Sequence, residues 1–180
     1  MQAIGKIGLA ILLLASTPAN AAPGRFTVDS KQNVQRFYGV PIDLTISGIK
    51  RLRYHVKMGQ EFGEGDAHPV AWIKAKDGVE VKASFGLDGR LYYLESSSLK
   101  AVGPKGIKAG SLLSDVRAAW PTGRLLYGSE DGRFVTYSTD TNVKYVFDPD
   151  DLPPQAFDHR GAKIDVPNIR VKTVRIFAPF

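Results

Sequence analysis

The sequence predicts an α+β domain in which antiparallel β-sheet, laid out as two meanders, carries one short α-helix on one face. Apolar and polar residues alternate with a period of two through several short segments, the pattern of strands with one buried face. Asp77-Gly78, Asp88-Gly89 and Asp131-Gly132 stand between such segments, where a tight antiparallel turn needs residues that tolerate positive φ. Helical spacing is convincing only once, after residue 110. Runs of strands around one helix, without βαβ alternation, select the α+β class.

The chain opens with the three parts of a secretory leader. Lys6 is the charge, residues 7–15 are apolar, and Ala19-Asn20-Ala21 is a small-residue cleavage site after Thr17 and Pro18. The apolar run is far shorter than the roughly 20 residues a membrane anchor needs. Cleavage after Ala21 is expected, leaving one secreted domain over 22–180 in the periplasm, with no membrane span. The sequence contains no cysteine. That excludes a lipid-bearing leader cysteine, disulfides, thiol nucleophiles and thiolate metal sites. A secreted domain without disulfides must be held by its core, and about 160 residues can bury roughly two thirds of their unfolded surface. Loss of Lys6 with the leader lowers the net charge from +6 to +5. A positive envelope protein favours acidic partners, and its scattered basic residues do not point to nucleic acid.

Residues 50–58 alternate strictly. Leu52, Tyr54, Val56 and Met58 fall on one side, Arg51, Arg53, His55 and Lys57 on the other, giving a strand with a buried face and a basic face. Residues 61–69 are polar and contain glycine, the composition of a loop. A meander follows over 70–76, 79–85 and 90–95, and a Ser-, Gly- and Pro-containing connection over 96–108. The helix starts near Ser111, whose hydroxyl suits an N-cap, with Asp115 at the positive helix end. Leu112, Leu113, Val116 and Trp120 share one face and Pro121 stops it, a length of about ten residues. A second set of strands occupies 124–127, 133–138, 143–147 and 169–177, with a turn at Asp140-Thr141-Asn142. In the last strand the apolar phase slips from Ile169 and Val171 to Val174 and Ile176, which a bulge near Thr173 explains. The two β segments read as copies of one unit or as independent meanders.

The catalytic search is negative. Ser97-Ser98-Leu99-Lys100 matches a Ser-x-x-Lys pattern, but Ser114-Asp115 is followed by Val116 and Lys172-Thr173 by Val174, so the companion elements of that chemistry are missing. His55, His68 and His159 have no zinc-binding spacing, with His68 and His159 in loop sequence. Asp148, Asp150 and Asp151, near Asp140, lack the glycine and distal Glu of a calcium loop. No enzyme activity, metal or cofactor is expected. Two surfaces stand out as partner sites. One is the basic face of Arg51, Arg53, His55 and Lys57. The other is the long Asp/Pro loop over 148–167, where Asp148, Asp150, Asp151 and Asp158 offer carboxylates and Phe157 an apolar anchor. The aromatics, Trp72 and Trp120 among them, are read as core. Tyr92 and Tyr93 should point to opposite faces.

The stretch 106–120, Gly-Ile-Lys-Ala-Gly-Ser-Leu-Leu-Ser-Asp-Val-Arg-Ala-Ala-Trp, resembles a helix motif of small envelope proteins in which a Gly-containing turn leads to a capped helix and a meander. With the ending Val171-Lys-Thr-Val-Arg-Ile-Phe177, the layout is similar to the sigma-E-regulated lipoprotein family of unknown function. The helix-plus-meander unit is also similar to the repeat of the β-lactamase inhibitory proteins. The chain departs from both, lacking the lipid-bearing cysteine of the first and the disulfides of the second. The resemblance implies a layered α+β fold and a binding role. The expected function is occlusion of another envelope protein, in its sharpest form by an inhibitor or immunity protein against a wall-degrading enzyme. The alternative is an envelope-maintenance factor that binds anionic glycan or lipid through the basic face.

Overall fold

The structure is a computed structural model that describes residues 25–63, 65–129, 132–157, 166 and 168–179. The expected leader, Asp131, Asp158 and His159 lie outside the described residues. Three short strands, β1 (Phe26–Val28), β2 (Val34–Phe37) and β3 (Val40–Pro41), form a small antiparallel sheet in that order. The chain then lays down β4 (His55–Gly63), β5 (Asp66–Lys74), β6 (Glu80–Phe85) and β7 (Leu91–Ser96), followed by the helix α1 (Leu113–Ala119). The remaining strands are β8 (Arg124–Gly128), β9 (Phe134–Ser138), β10 (Val143–Phe147) and β11 (Val171–Phe177). The eight strands β4 to β11 make one sheet in the order β4-β5-β6-β7-β11-β10-β9-β8. Every neighbouring pair is antiparallel, so the fold is α+β.

The two meanders have four strands each and meet through their last members, β7 and β11. Their entries match bond for bond. Thr45 forms an isolated bridge with Arg90 before β7, and Leu112 with Arg170 before β11. Leu91 N–H donates to Leu44 O and Ile46 N–H to Gly89 O. In the second half Val171 N–H donates to Ser111 O and Leu113 N–H to Ile169 O. Ile46 therefore corresponds to Leu113, and the buried Ile49, in a 3-10 turn, to the buried Val116 of α1. The two halves are structural repeats about an axis between β7 and β11.

Several expectations need correction. The strand expected over 50–58 begins only at His55, because Ile49–Arg51 is a 3-10 turn closed by Leu52 N–H to Ile49 O. The loop expected over 61–69 is a continuation of the β4–β5 hairpin, in which Glu61 faces His68 and Phe62 faces Ala67. Its polar composition reflects a ladder that outruns the core. Met58 is 47% exposed for the same reason. The helix is seven residues long and Ser111 does not cap it. The Ser111 hydroxyl accepts from Lys108 N–H, while Asp115 accepts from Leu112 N–H and Asn168 Oδ1 from Ser114 N–H. Three features follow the sequence closely. Asp77 and Gly78 both adopt positive φ in the β5–β6 turn, β10 has the expected bounds, and the ladder slips opposite Val171 and Thr173.

The core lies on one face of the large sheet. Ile73, Val81, Ala83, Leu94, Ile176, Val174, Val143, Tyr145 and Val135 point into it, and Leu113 and Val116 of α1 pack there with Phe37, Tyr38 and Val40 of the small sheet. Buried hydroxyls are satisfied across layers. Tyr38 Oη donates to Lys100 O and accepts from Val102 N–H. Trp120 Nε1 donates to Tyr145 Oη at 3.1 Å, and burial pushes that phenol far above its ordinary value. Asn142 joins the sheets. Its side chain accepts from Val34 N–H and donates to Val34 O and Phe177 O.

Candidate functional site: the uncovered face of the large sheet

The other face of the large sheet carries no helix or second layer among the described residues. Register places one row of side chains across all eight strands of this face: Lys57, Trp72, Lys82, Glu95, Arg175, Lys144, Ser138 and Arg124. A parallel row runs through Gly59, Val70, Ser84, Tyr93 and Phe177. Alternation explains why these residues share a face, since each occupies the phase opposite to its strand's core positions.

The centre of the row is an ion network around Glu95, whose side chain is 12% exposed. Lys82 Nζ lies 2.6 Å from one Glu95 oxygen, and Arg175 bonds the other through Nε at 2.8 Å and a terminal nitrogen at 2.7 Å. Lys82 also reaches both oxygens of Glu61 at 2.9 and 2.8 Å. Burial opposes the charge on Lys82, but hydrogen bonds to Glu61 and Glu95 outweigh it and raise the amine above the ordinary lysine value. The ends of the row, Lys57, Lys144 and Arg124, carry no such carboxylate in the row and leave it positive there.

Aromatic rings lie among the cations. Arg175 stands 4.3 Å from the Tyr93 ring centre, Lys144 Nζ 4.3 Å from Phe177 and Lys57 Nζ 5.9 Å from Trp72. The Trp72 indole fills the space beside Gly59, where a Cβ would meet it at 2.6 Å. Tyr92 and Tyr93 do not point to opposite faces. The ladder shifts between Ser84 and Phe85, and both tyrosine rings cluster with Phe177 at 5.5 to 5.8 Å. The face carries open depressions, one of about 570 Å³ beside Val70, Ser84 and Tyr93. A second, of about 400 Å³, is lined by His55, Lys57, Trp72, Lys74 and Glu80. Another, of about 220 Å³, lies across Trp72 against Lys82, Glu95 and Thr173.

The sequence-derived candidates divide. His55 and Lys57 are on this face. Arg51 sits in the 3-10 turn and Arg53 in the following coil, both exposed, so the four do not form one strand face. The Asp/Pro loop is tied down where it is described, with 3-10 turns at Pro149–Asp151 and Pro154–Phe157. Asp148 pairs with Lys172 at 2.7 Å and accepts from Asp150 N–H, which together hold its carboxyl below the usual range. Asp150 pairs with Arg133 at 2.7 Å, and Asp151 is exposed. Phe157 is not an offered anchor: it is 8% exposed, in the core with Leu152 and Ala156 and 5.4 Å from the Arg133 guanidinium. His68 is in β5, opposite Glu61, rather than in a loop. Among the described residues no three His, Asp or Glu side chains group as a metal site would require. Sequence reading assigned Trp72 to the core and did not single out Lys82, Glu95, Lys144 or Arg175. Their polar phase within each strand was the available signal.

No known protein-family profile matches the chain, and no curated protein matches it in sequence. A solved structure resembles it in fold. The uncharacterized protein yfeY from Escherichia coli superposes with a TM-score of 0.55 at 18% identity, covering 84% of this chain and 99% of that one. The likeness is one of fold. No helix among the described residues is long and apolar enough to cross a membrane.

Proposed function

We propose that the protein acts by binding rather than by catalysis, and that its uncovered sheet face is the docking surface for another protein of the cell envelope. One observation carries the reading. A row with cations on five of the eight strands, Trp72 within it and Tyr93 and Phe177 beside it, crosses a face that has no covering layer among the described residues. Small-molecule sites are concave and enclose most of their ligand, whereas exposed aromatics and arginines on an open surface suit a protein interface. The positive ends of the row select an acidic partner surface, with the neutralised centre beneath it. An inhibitor or immunity protein that occludes a wall-degrading enzyme would act this way.

The test uses the immobilised exported protein and an envelope extract, with bound proteins cross-linked and the links mapped. Links to Lys144 and Lys57, and loss of the captured protein on changing Lys144→Glu with Arg124→Glu, are expected. Capture that persists in this variant, with links confined to the 148–157 loop, would move the site there.

A second reading has its own observation. His55, Lys57 and Lys74 surround the Trp72 indole in one depression, the chemistry of an anionic sugar ring or phosphate stacked on an aromatic face. Trp120 is 3% exposed, so quenching of the accessible tryptophan reports on Trp72. Quenching by muropeptides or phosphatidylglycerol vesicles, lost in Lys57→Glu with Lys74→Glu, would favour this ligand over a protein.

A further inference from the structure

The two edges of the large sheet are treated differently. β8 packs against the 3-10 turn Pro154–Phe157, and Ser129 Oγ beside it donates to Phe157 O. β4 is the opposite edge. It has nine residues, contains no proline and pairs with β5 without a register shift. No hydrogen bond among the described residues joins its backbone to any segment but β5. Long, regular edges template pairing with another chain, and proteins normally interrupt or cover them. β4 also exposes Phe62 at 82% and Met58 at 47%. Both lie on the core-side face of the strand, beyond the reach of the core.

The pattern of β4 is complementary to itself. Residues directly opposite each other on paired strands share a face, and a two-fold axis makes each contact occur twice. An antiparallel pair of β4 strands centred on Gly59 places Lys57 against Glu61 of the second copy, and Glu61 against its Lys57, on the uncovered face. On the other face Val56 meets Phe62 and Met58 meets Gln60. Centring on Met58 or Gln60 instead leaves Lys57 facing a glycine. Glu61 already accepts from Lys82, but its side chain is 42% exposed and a carboxylate has room for a second cation.

We infer that β4 is a homodimer interface, at which two copies join edge to edge in this register to form one continuous sheet with their docking faces side by side. The inference is independent of what that face binds.

Sedimentation of the exported protein across a concentration series tests it. The parent should dimerise. Lys57→Glu and Glu61→Lys should each raise the dimer dissociation constant about tenfold or more, because each creates two like-charge pairs. Mixed in equal amounts, these two variants should form a heterodimer in which every 57–61 pair is again complementary. Phe62→Ser, at a position exposed in the monomer, should weaken the dimer yet melt like the parent at dilutions where both are monomeric, which guards against misfolding of a charge variant. A parent that stays monomeric at high micromolar concentration overturns the inference. So does a dimer that ignores all three substitutions, or charge variants that fold but fail to pair when mixed.

Discussion

Glu95 is the side chain whose removal should be felt most on the uncovered face. It lies between Lys82 and Arg175 in one cross-strand row and accepts from both. Glu95→Gln keeps the shape and deletes the charge. Arg175 then has no carboxylate in the network, and Lys82 keeps only Glu61. Hydrogen bonds to charged groups contribute about 1.5–3 kcal/mol each. The cations are 19% and 29% exposed, so water recovers part of each loss. The net destabilisation should be about 2–3 kcal/mol. At this chain length that lowers Tm by roughly 4–12 °C. Urea denaturation followed by circular dichroism measures it. A double-mutant cycle with Arg175→Met should return a coupling of about 1–2 kcal/mol. A loss below about 0.5 kcal/mol, or no coupling, would mean that the network is solvated surface charge and that the centre of the row is not preorganised.

Three further outcomes follow from the packing and the charges. Gly123→Ala would place a Cβ 2.2 Å from the Tyr137 ring and 2.9 Å from Ser138 O, and Tyr137 is held by its 2.6 Å bond to Trp120 O. A destabilisation of about 2–4 kcal/mol is expected by urea titration, and parental stability would show that the ring can move. Asn142→Ala removes the staple between the two sheets, so amide exchange should accelerate in β1 and β2 well before β10, and uniform protection would refute the staple. The pH dependence has opposite signs at its two ends. The lowered Asp148 value adds stability that is complete above the unfolded carboxyl near 3.9 and lost as pH falls through the folded value. The raised Lys82 value adds stability that is complete below about 10.4 and lost as pH rises through the folded value. Asp148→Asn should flatten the acid limb of the urea midpoint against pH and, because Asp148 also raises Lys172, part of the alkaline limb. Lys82→Met should flatten the alkaline limb and leave the acid one unchanged.

Whatever local physics decides could be read along the chain. Alternation located β6, β7, β9 and β10 to within a residue or two, Asp77-Gly78 made its turn through positive φ, and the apolar slip near Thr173 marked a real shift in the ladder. The α+β class followed from the same periods. The small N-terminal sheet escaped because its strands have two to four residues, too short for a period to show. The helix was overextended because its cap comes from Asp115 and the distant Asn168 rather than from Ser111. The candidate site, by contrast, is assembled by long-range pairing. Glu95 and Arg175 are 80 residues apart, and nothing local sets the register of β7 against β11 that makes them neighbours. Trp72 moved from the expected core onto the uncovered face, the 3-10 turn Ile49–Arg51 separated Arg51 and Arg53 from His55 and Lys57, and packing of the Pro154–Phe157 turn on β8 drew Phe157 into the interior. A strand's own residues say which of them share a side. Which of those sides align, and which is left bare, is settled by long-range pairing and by the packing of the core beneath.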